Sequence, residues 1–433
     1  MKLREIDEQV LGSLSPPKLG YMLALGLCML LIGIGVVAYI VQYNVGMGVT
    51  GLSIPVAWAV YITNFVWWVG IAHSGTLISA ILYLFRTRWR NGINRAAEAM
   101  TIFAIATAGL FPLIHLGRVW VFYWILPYPN WRHLWPNFKS PLVWDVVAVG
   151  TYFTVSLLFF YLGMVPDLAT ARENSTGWRH SMYRILSLGW TGRYEQWRHY
   201  GRAYLALAAL ATPLVISVHS VVSWDFAMSV LPGWHTTIFA PYFVAGAIHS
   251  GLAMVIMLMV PLRRILGLER VLTPYYFEQM ALLLILTGSI VGYAYVVEPF
   301  MAWYSADTYE RYSITWRAVG TYAPFFWIMS IFNVLTPATF FLKRLRTNLT
   351  YLFWASFLIQ IAMWLERFVI IVTSLSRDFL PSSWRLYSPR PVEILVTLGS
   401  LGFFLFLFLA FVKLFPSIPM SELKEQNLPH GED

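Results

Sequence analysis

Ten stretches of this sequence stay apolar for about 20 residues or more, the length an α-helix needs to cross the hydrocarbon of a bilayer. They fall at about 20–42, 54–85, 99–126, 141–166, 202–223, 238–262, 273–302, 317–342, 349–373 and 392–415. A chain in lipid must satisfy its backbone polar groups internally, so each run reads as one helix. Composition agrees: 58% of the 433 residues are hydrophobic and 12% charged, against about 25% charged in a water-soluble domain. The fold class is an all-α polytopic membrane protein of about ten transmembrane helices. A net charge of +9 would suit nucleic acid, but the basic residues sit in short loops between apolar runs and form no stripe, so no nucleic acid is expected.

Those loops orient the chain. One side collects the N-terminal tail, Arg86 to Arg95, the loop 167–202, Arg263 to Arg270, Lys343 to Arg346 and the C-terminal tail, with 21 of the 30 Lys and Arg. By the positive-inside rule both termini are cytoplasmic. The opening MKLREIDEQVLGSLSPPK has no apolar core or cleavage site and reads as a retained tail. The opposite loops carry Trp, Tyr and Pro at 127–138, 224–235 and 376–390, as an aromatic belt or as a floor for another subunit. The single cysteine, Cys28, rules out an internal disulfide and a cluster or zinc site built on cysteines. Without a CxxCH there is no covalent c-type haem.

The chain also repeats itself. Gly70-Ile71-Ala72-His73-Ser74-Gly75 returns as Gly246-Ala247-Ile248-His249-Ser250-Gly251; Glu98/Met100 as Glu278/Met280; Val149-Gly150-Thr151-Tyr152 as Val319-Gly320-Thr321-Tyr322; Asp225-Phe226 as Asp378-Phe379. The order is kept, and the unit is four spans. This predicts two parallel-related four-helix bundles, spans 2–5 and 6–9, with spans 1 and 10 flanking them. The divisions are 1–53 (tail and first span), 54–230 (first bundle, with its loop 167–201), 231–375 (second bundle) and 376–433 (outer loop, last span and tail).

Ionisable groups inside a bilayer are costly and mark functional positions. His73 and His249 lie roughly 20 Å into spans 2 and 6, either bonding a neighbouring helix or relaying protons. In span 3, His115 and Arg118 share a face at i and i+3. Span 4 opens with Trp144 and Asp145 on the same side of the membrane. A neutral histidine beside a carboxylate can take protons from a hydroxyl; the same three charged residues can equally form a buried ion pair. His219, Asp225, Glu298, Glu366 and Arg367, with Glu98 and Glu278 at inner helix ends, complete two ladders of candidate proton groups. Capping or solvated roles are open to the last two.

Several long stretches resemble the NrfD/PsrC family of quinone-interacting membrane subunits, and most nearly the ActC type of bacterial alternative complex III. They are HSGTLISAILYLFR (73–86), RAAEAMT (95–101), FPLIHLGRVWVFYWILPYPN (111–130), SPLVWDVVAVGTYFTVSLLF (140–159), 221–248 and ERFVIIVTSLSRDFLPSSW (366–384). The resemblance implies a multi-pass subunit of the bacterial cytoplasmic membrane with no redox cofactor of its own. It would bind menaquinol near the outer face through His115, Asp145, Arg118 and Trp144, with His115 and Asp145 catalytic. Electrons would pass to an iron–sulfur subunit on that face. A second NrfD-like subunit and cytochrome c subunits would be further partners, and clusters and haems would belong to partners alone. Protons would run through both bundles. The related ActF subunit has the same plan, and the intact His115/Asp145 pair points to ActC. In the second bundle Thr315 takes the place of Asp145 and Trp316 stands near that of Trp144, so quinol oxidation is expected in the first bundle only. Two rival classes are a haem-bearing cytochrome b-like subunit, with ligands among His73, His115, His219 and His249, and a secondary transporter with parallel repeats. The first lacks two histidines at separate depths on one helix, and the second lacks spans broken at mid-membrane.

Overall fold

A computed structural model describes residues 3–126 and 137–427. Among them, ten helices are long and apolar enough to cross a membrane: span 1 Leu19–Val45, span 2 Val60–Leu84, span 3 Asn94–His115, span 4 Pro141–Glu173, span 5 Tyr194–Ala227, span 6 Phe239–Ile265, span 7 Pro274–Tyr304, span 8 Ala323–Phe341, span 9 Leu349–Ser376 and span 10 Pro391–Leu414. Short helices Leu3–Gly12 and Met420–Asn427 pack on one another, so both ends of the described chain share one side, here the termini side. Most of the aromatic loop expected at 127–138 lies outside the described residues.

The ends of five spans differ from the hydropathy reading, for local reasons. Span 2 starts at Val60 rather than 54, after a stretch containing Pro55, which has no N–H to give a helix. Span 3 stops at His115 rather than 126, because Gly117 adopts a left-handed φ of +68° and ends the helix; Val119–Ile125 continues as a 3-10 segment. Spans 4 and 5 run on to Glu173 and back to Tyr194, carrying charged residues beyond the lipid. Span 8 begins only at Ala323, because Asp307 caps a separate helix, Thr308–Val319, by accepting from the backbone N–H of Tyr309 (2.8 Å) and Glu310 (2.9 Å).

Span 2 packs on span 3, 3 on 4, 4 on 5 and 5 back on 2; spans 6, 7, 8 and 9 close in the same way. The two rings meet along spans 2 and 6, which are the most buried. There the two copies of the Gly-x-x-His-Ser-Gly motif lie against each other. A Cβ on Gly251 would stand 2.2 Å from Ser74 Oγ and 2.6 Å from Ile71 O, while one on Gly70 would meet Ser250 Oγ at 3.6 Å. Small residues let helices approach where lipid supplies no hydrophobic drive. Spans 1 and 10 pair in the same manner: a Cβ on Gly35 would stand 2.7 Å from Gly399 Cα.

Candidate functional site

At the end of the first ring far from the termini, span 4 carries Trp144-Asp145 in its first turns and span 5 ends with Trp224-Asp225. The dipeptide thus stands on two adjacent helices running in opposite directions. The indoles meet edge to face with centroids 6.0 Å apart, and the two carboxyls are close enough to interact electrostatically. Two carboxyl groups this near can share one proton. Asp145 Oδ1 and Asp225 Oδ1 are each buried without a partner. Trp144 Nε1 donates to Phe138 O (2.6 Å). Trp144 lines an open apolar groove of about 410 Å³, with Phe138, Val143, Val147, Thr151 and Leu214.

Asp225 is the charged neighbour of Asp145, and among the described residues no ion pair joins Asp145 to His115 or Arg118. The last turn of span 3 is tied toward span 1, where Gln42 Nε2 donates to Ile114 O (2.9 Å) and Tyr61 OH to Gln42 Oε1 (2.5 Å). His115 Nδ1 is left buried and unbonded, and Arg118 is exposed.

The intramembrane histidines meet at the seam between the rings. His73 and His219 are fully buried, with rings edge to face at 4.6 Å, a contact that admits no macrocycle between them. His73 Nδ1 contacts Val69 O (2.5 Å) and its ring stacks on Tyr152. Neither nitrogen of His219 has a partner. Across the seam the Arg367 guanidinium lies 4.2 Å from the centroid of Phe243, whose ring is also next to His219. Arg367 pairs with Glu366 at 2.9 Å, but the angle is poor and both Nη atoms lack a hydrogen-bond acceptor. Glu366 accepts from Tyr295 OH and, at 3.5 Å, from Asn333 Nδ2. His249 is held separately, with Nδ1 2.9 Å from Thr287 Oγ1.

Glu98, at the termini side, is buried rather than solvated. It lies 3.7 Å from Arg95 Nε and accepts from Tyr204 OH (3.3 Å). Arg95 Nη2 donates to Gly163 O (2.6 Å) and pairs with Asp167 (3.3 Å), whose other oxygen accepts from Ser421 N (3.0 Å). Glu278 pairs with Arg346 (3.0 Å) and Glu298 with the buried Arg317 (2.5 Å). Sequence reading passed over Arg95, Asp167, Arg317 and Tyr204. The nearness of Asp145 and Asp225 did have a legible signal, the repeated Trp-Asp dipeptide in the first and last turns of a helical hairpin, both at its open end. Among the described residues no three His, Cys, Asp or Glu stand close enough to hold a metal ion.

Residues 48–377 match the NrfD family, described as polysulphide reductase. The chain belongs to the NrfD family. This NrfD protein is 30% identical over 234 residues to a Halobacterium salinarum protein assigned as a membrane component of dimethyl sulfoxide reductase; the match covers 54% of this chain and 49% of that one, about half its length. It is 22% identical over 420 residues to a component of the selenate reductase of Mesobacillus selenatarsenatis, covering 92% and 94%. It is also 22% identical over 413 residues to the Hdr-like menaquinol oxidoreductase integral membrane subunit of Archaeoglobus fulgidus, covering 90% and 92%. The ten spans and the family together make the chain a multi-pass membrane protein.

Proposed function

We propose that this NrfD protein is the quinol-oxidising membrane subunit of an electron-transfer complex, of the ActC type in alternative complex III, and that menaquinol reacts at the end of the first ring far from the termini. The observation that carries the reading is the Asp145–Asp225 pair beside an apolar groove, in a chain whose relatives are named as components of reductases and of a menaquinol oxidoreductase. Oxidising a quinol to a quinone releases two electrons and two protons. An acid pair holding one proton between them has room for a second, and each aspartate keeps an oxygen free to accept a hydroxyl hydrogen. The unbonded His115 Nδ1 is a further acceptor at that side. The Trp144 and Trp224 rings suit a flat head group, and the apolar groove suits an isoprenoid tail.

In this reading both termini are cytoplasmic in a bacterial inner membrane. Electrons leave to an iron–sulfur subunit on the outer face, in an assembly with a second NrfD-like subunit and cytochrome c subunits. Protons move along the buried groups, from Asp145 and Asp225 toward His219, His73 and Glu98, with Glu366, Arg367, His249, Glu278 and Glu298 serving the second ring.

The test is menaquinol oxidation by the intact complex carrying Asp145→Asn, Asp225→Asn or His115→Ala. Loss of a proton acceptor lowers turnover about 10²–10⁴-fold while the amide keeps the shape of the pair. Normal assembly with unchanged turnover and KM in both aspartate variants would move the site elsewhere.

A further inference from the structure

The segment joining spans 4 and 5 on the termini side is more basic and aromatic than a connection needs. Residues 177–202 hold five arginines, two histidines, three tryptophans and one carboxylate, Glu195. The helix Gly177–Leu186 buries one side: Tyr183 OH donates to Leu414 O (2.7 Å), and Arg179 donates to Leu14 O (2.6 Å) and Lys413 O (3.4 Å). These bonds hold it level with the last turn of span 10, where the hydrocarbon ends. Its other side exposes Trp178 and Ile185, seven residues apart on one stripe, with His180 and Arg184 on the next. Leu188 and Tyr194 extend the apolar surface.

Span 5 carries the pattern into the bilayer. Trp197, Tyr200 and Tyr204 share its inner side, while Arg198 and Arg202 share the outer one. That outer side becomes lipid-facing one turn later, at the exposed Leu205 and then Leu210. Arg202 is three residues from Leu205, about 4.5 Å along the axis, which puts both guanidinium groups at the depth of lipid phosphates. Among the described residues, Arg184, Arg198 and Arg202 make no ion pair. In-plane helices with an apolar stripe beside a basic one seat in the interface and attract anionic lipid.

We infer that this side of the protein binds anionic phospholipid, with Arg184 on the in-plane helix and Arg198 and Arg202 at the entry of span 5 each facing phosphates and Trp178, Ile185 and Leu188 among the acyl chains. Charge complementarity selects the occupant: an excess of fixed guanidinium groups, set where phosphates are and bordered by exposed apolar side chains. The site is independent of quinol chemistry at the opposite end of the ring.

Native mass spectrometry of the intact complex tests it. The delipidated complex is titrated with phosphatidylglycerol or cardiolipin against phosphatidylcholine. The expected result is preferential retention of the anionic lipids, falling about fivefold for each arginine removed in Arg184→Gln and Arg198→Gln/Arg202→Gln, with phosphatidylcholine unchanged and Arg→Lys versions close to the parent. Equal retention by the Gln variants overturns the proposal. So does loss of a partner protein from them at unchanged lipid retention, which would make the patch a protein interface. Should the variants fail to assemble, salt decides: anionic retention by the parent complex falls with added salt, and salt-independent retention overturns the proposal.

Discussion

Single residues in this protein are set by partners far away in the chain. Asp167 pairs with Arg95 and accepts from the backbone of Ser421, while Arg95 also donates to Gly163 O and lies 3.7 Å from Glu98. Removing one partner of a buried pair leaves the other charge uncompensated, at about 3–5 kcal/mol. Arg95→Met, which leaves two buried carboxyls without their cation, is therefore expected to lower the thermal midpoint of the purified complex sharply, and Asp167→Ala, which leaves Arg95 with Glu98, to lower it less. A midpoint within a degree of the parent for Arg95→Met would show the cluster to be energetically idle. Glu310 gives a pH counterpart outside the membrane. Burial pushes its carboxyl up, against the opposing effect of the Gly233 N–H it accepts at 2.9 Å. A carboxyl whose folded pKa is raised costs stability as pH climbs from its unfolded value through its folded one. Glu310→Gln should flatten that decline in midpoint with rising pH, and an unchanged slope would dismiss Glu310 as its source. The sequence marked Glu98, His73 and Asp145 as buried candidates because charge inside an apolar run is conspicuous. It set Asp145 beside His115 and did not single out Asp225, 80 residues on, which the packing of span 5 on span 4 brings next to Asp145.

Elements were more legible than partners, since twenty apolar residues announce a span wherever the surrounding helices lie. Their ends were less so: the left-handed Gly117 and the Asp307 cap are local backbone events that hydropathy averages away. Where spans touch, glycine sets the distance, and the two motif copies allow a graded test. A Cβ on Gly75 would stand 2.1 Å from both Ala97 O and Thr101 Oγ1, whereas one on Gly70 meets nothing nearer than 3.6 Å. Gly75→Ala and Gly251→Ala should each force helices apart at about 1–3 kcal/mol or more, with poor assembly. Gly70→Ala should be accepted. Detergent-resistance and yield measurements on the three variants separate them, and equal behaviour would contradict the close packing of spans 2, 3 and 6.

At the scale of the whole molecule, the rings are joined by buried polar residues as well as by packing. His73 and His219 of the first face Arg367 of the second across Phe243, so the charge state of either ring is felt in the other. The C-terminal helix is part of this order. Glu422 reaches Arg90 at 2.8 Å and Asn94 at 3.1 Å, and Lys424 reaches Asp7 at 2.6 Å. The repeat gave no sign that the two copies of its Gly-x-x-His-Ser-Gly motif would press against each other, because a repeat carries no record of its own interface.

The pairing of spans 1 and 10 has a consequence for how the protein is made. Span 1 leaves the ribosome long before span 10 and waits for it with a small-residue stripe uncovered. Cys28 lies in that stripe, 5% exposed, and a Cβ on Gly402 of span 10 would come within 2.9 Å of its carbonyl oxygen. The only thiol in the sequence thus marks a stripe that faces lipid until span 10 is made. In nascent chains arrested before residue 391 a carbene-generating lipid probe should label that stripe of span 1, and in chains carrying span 10 the stripe should resist it.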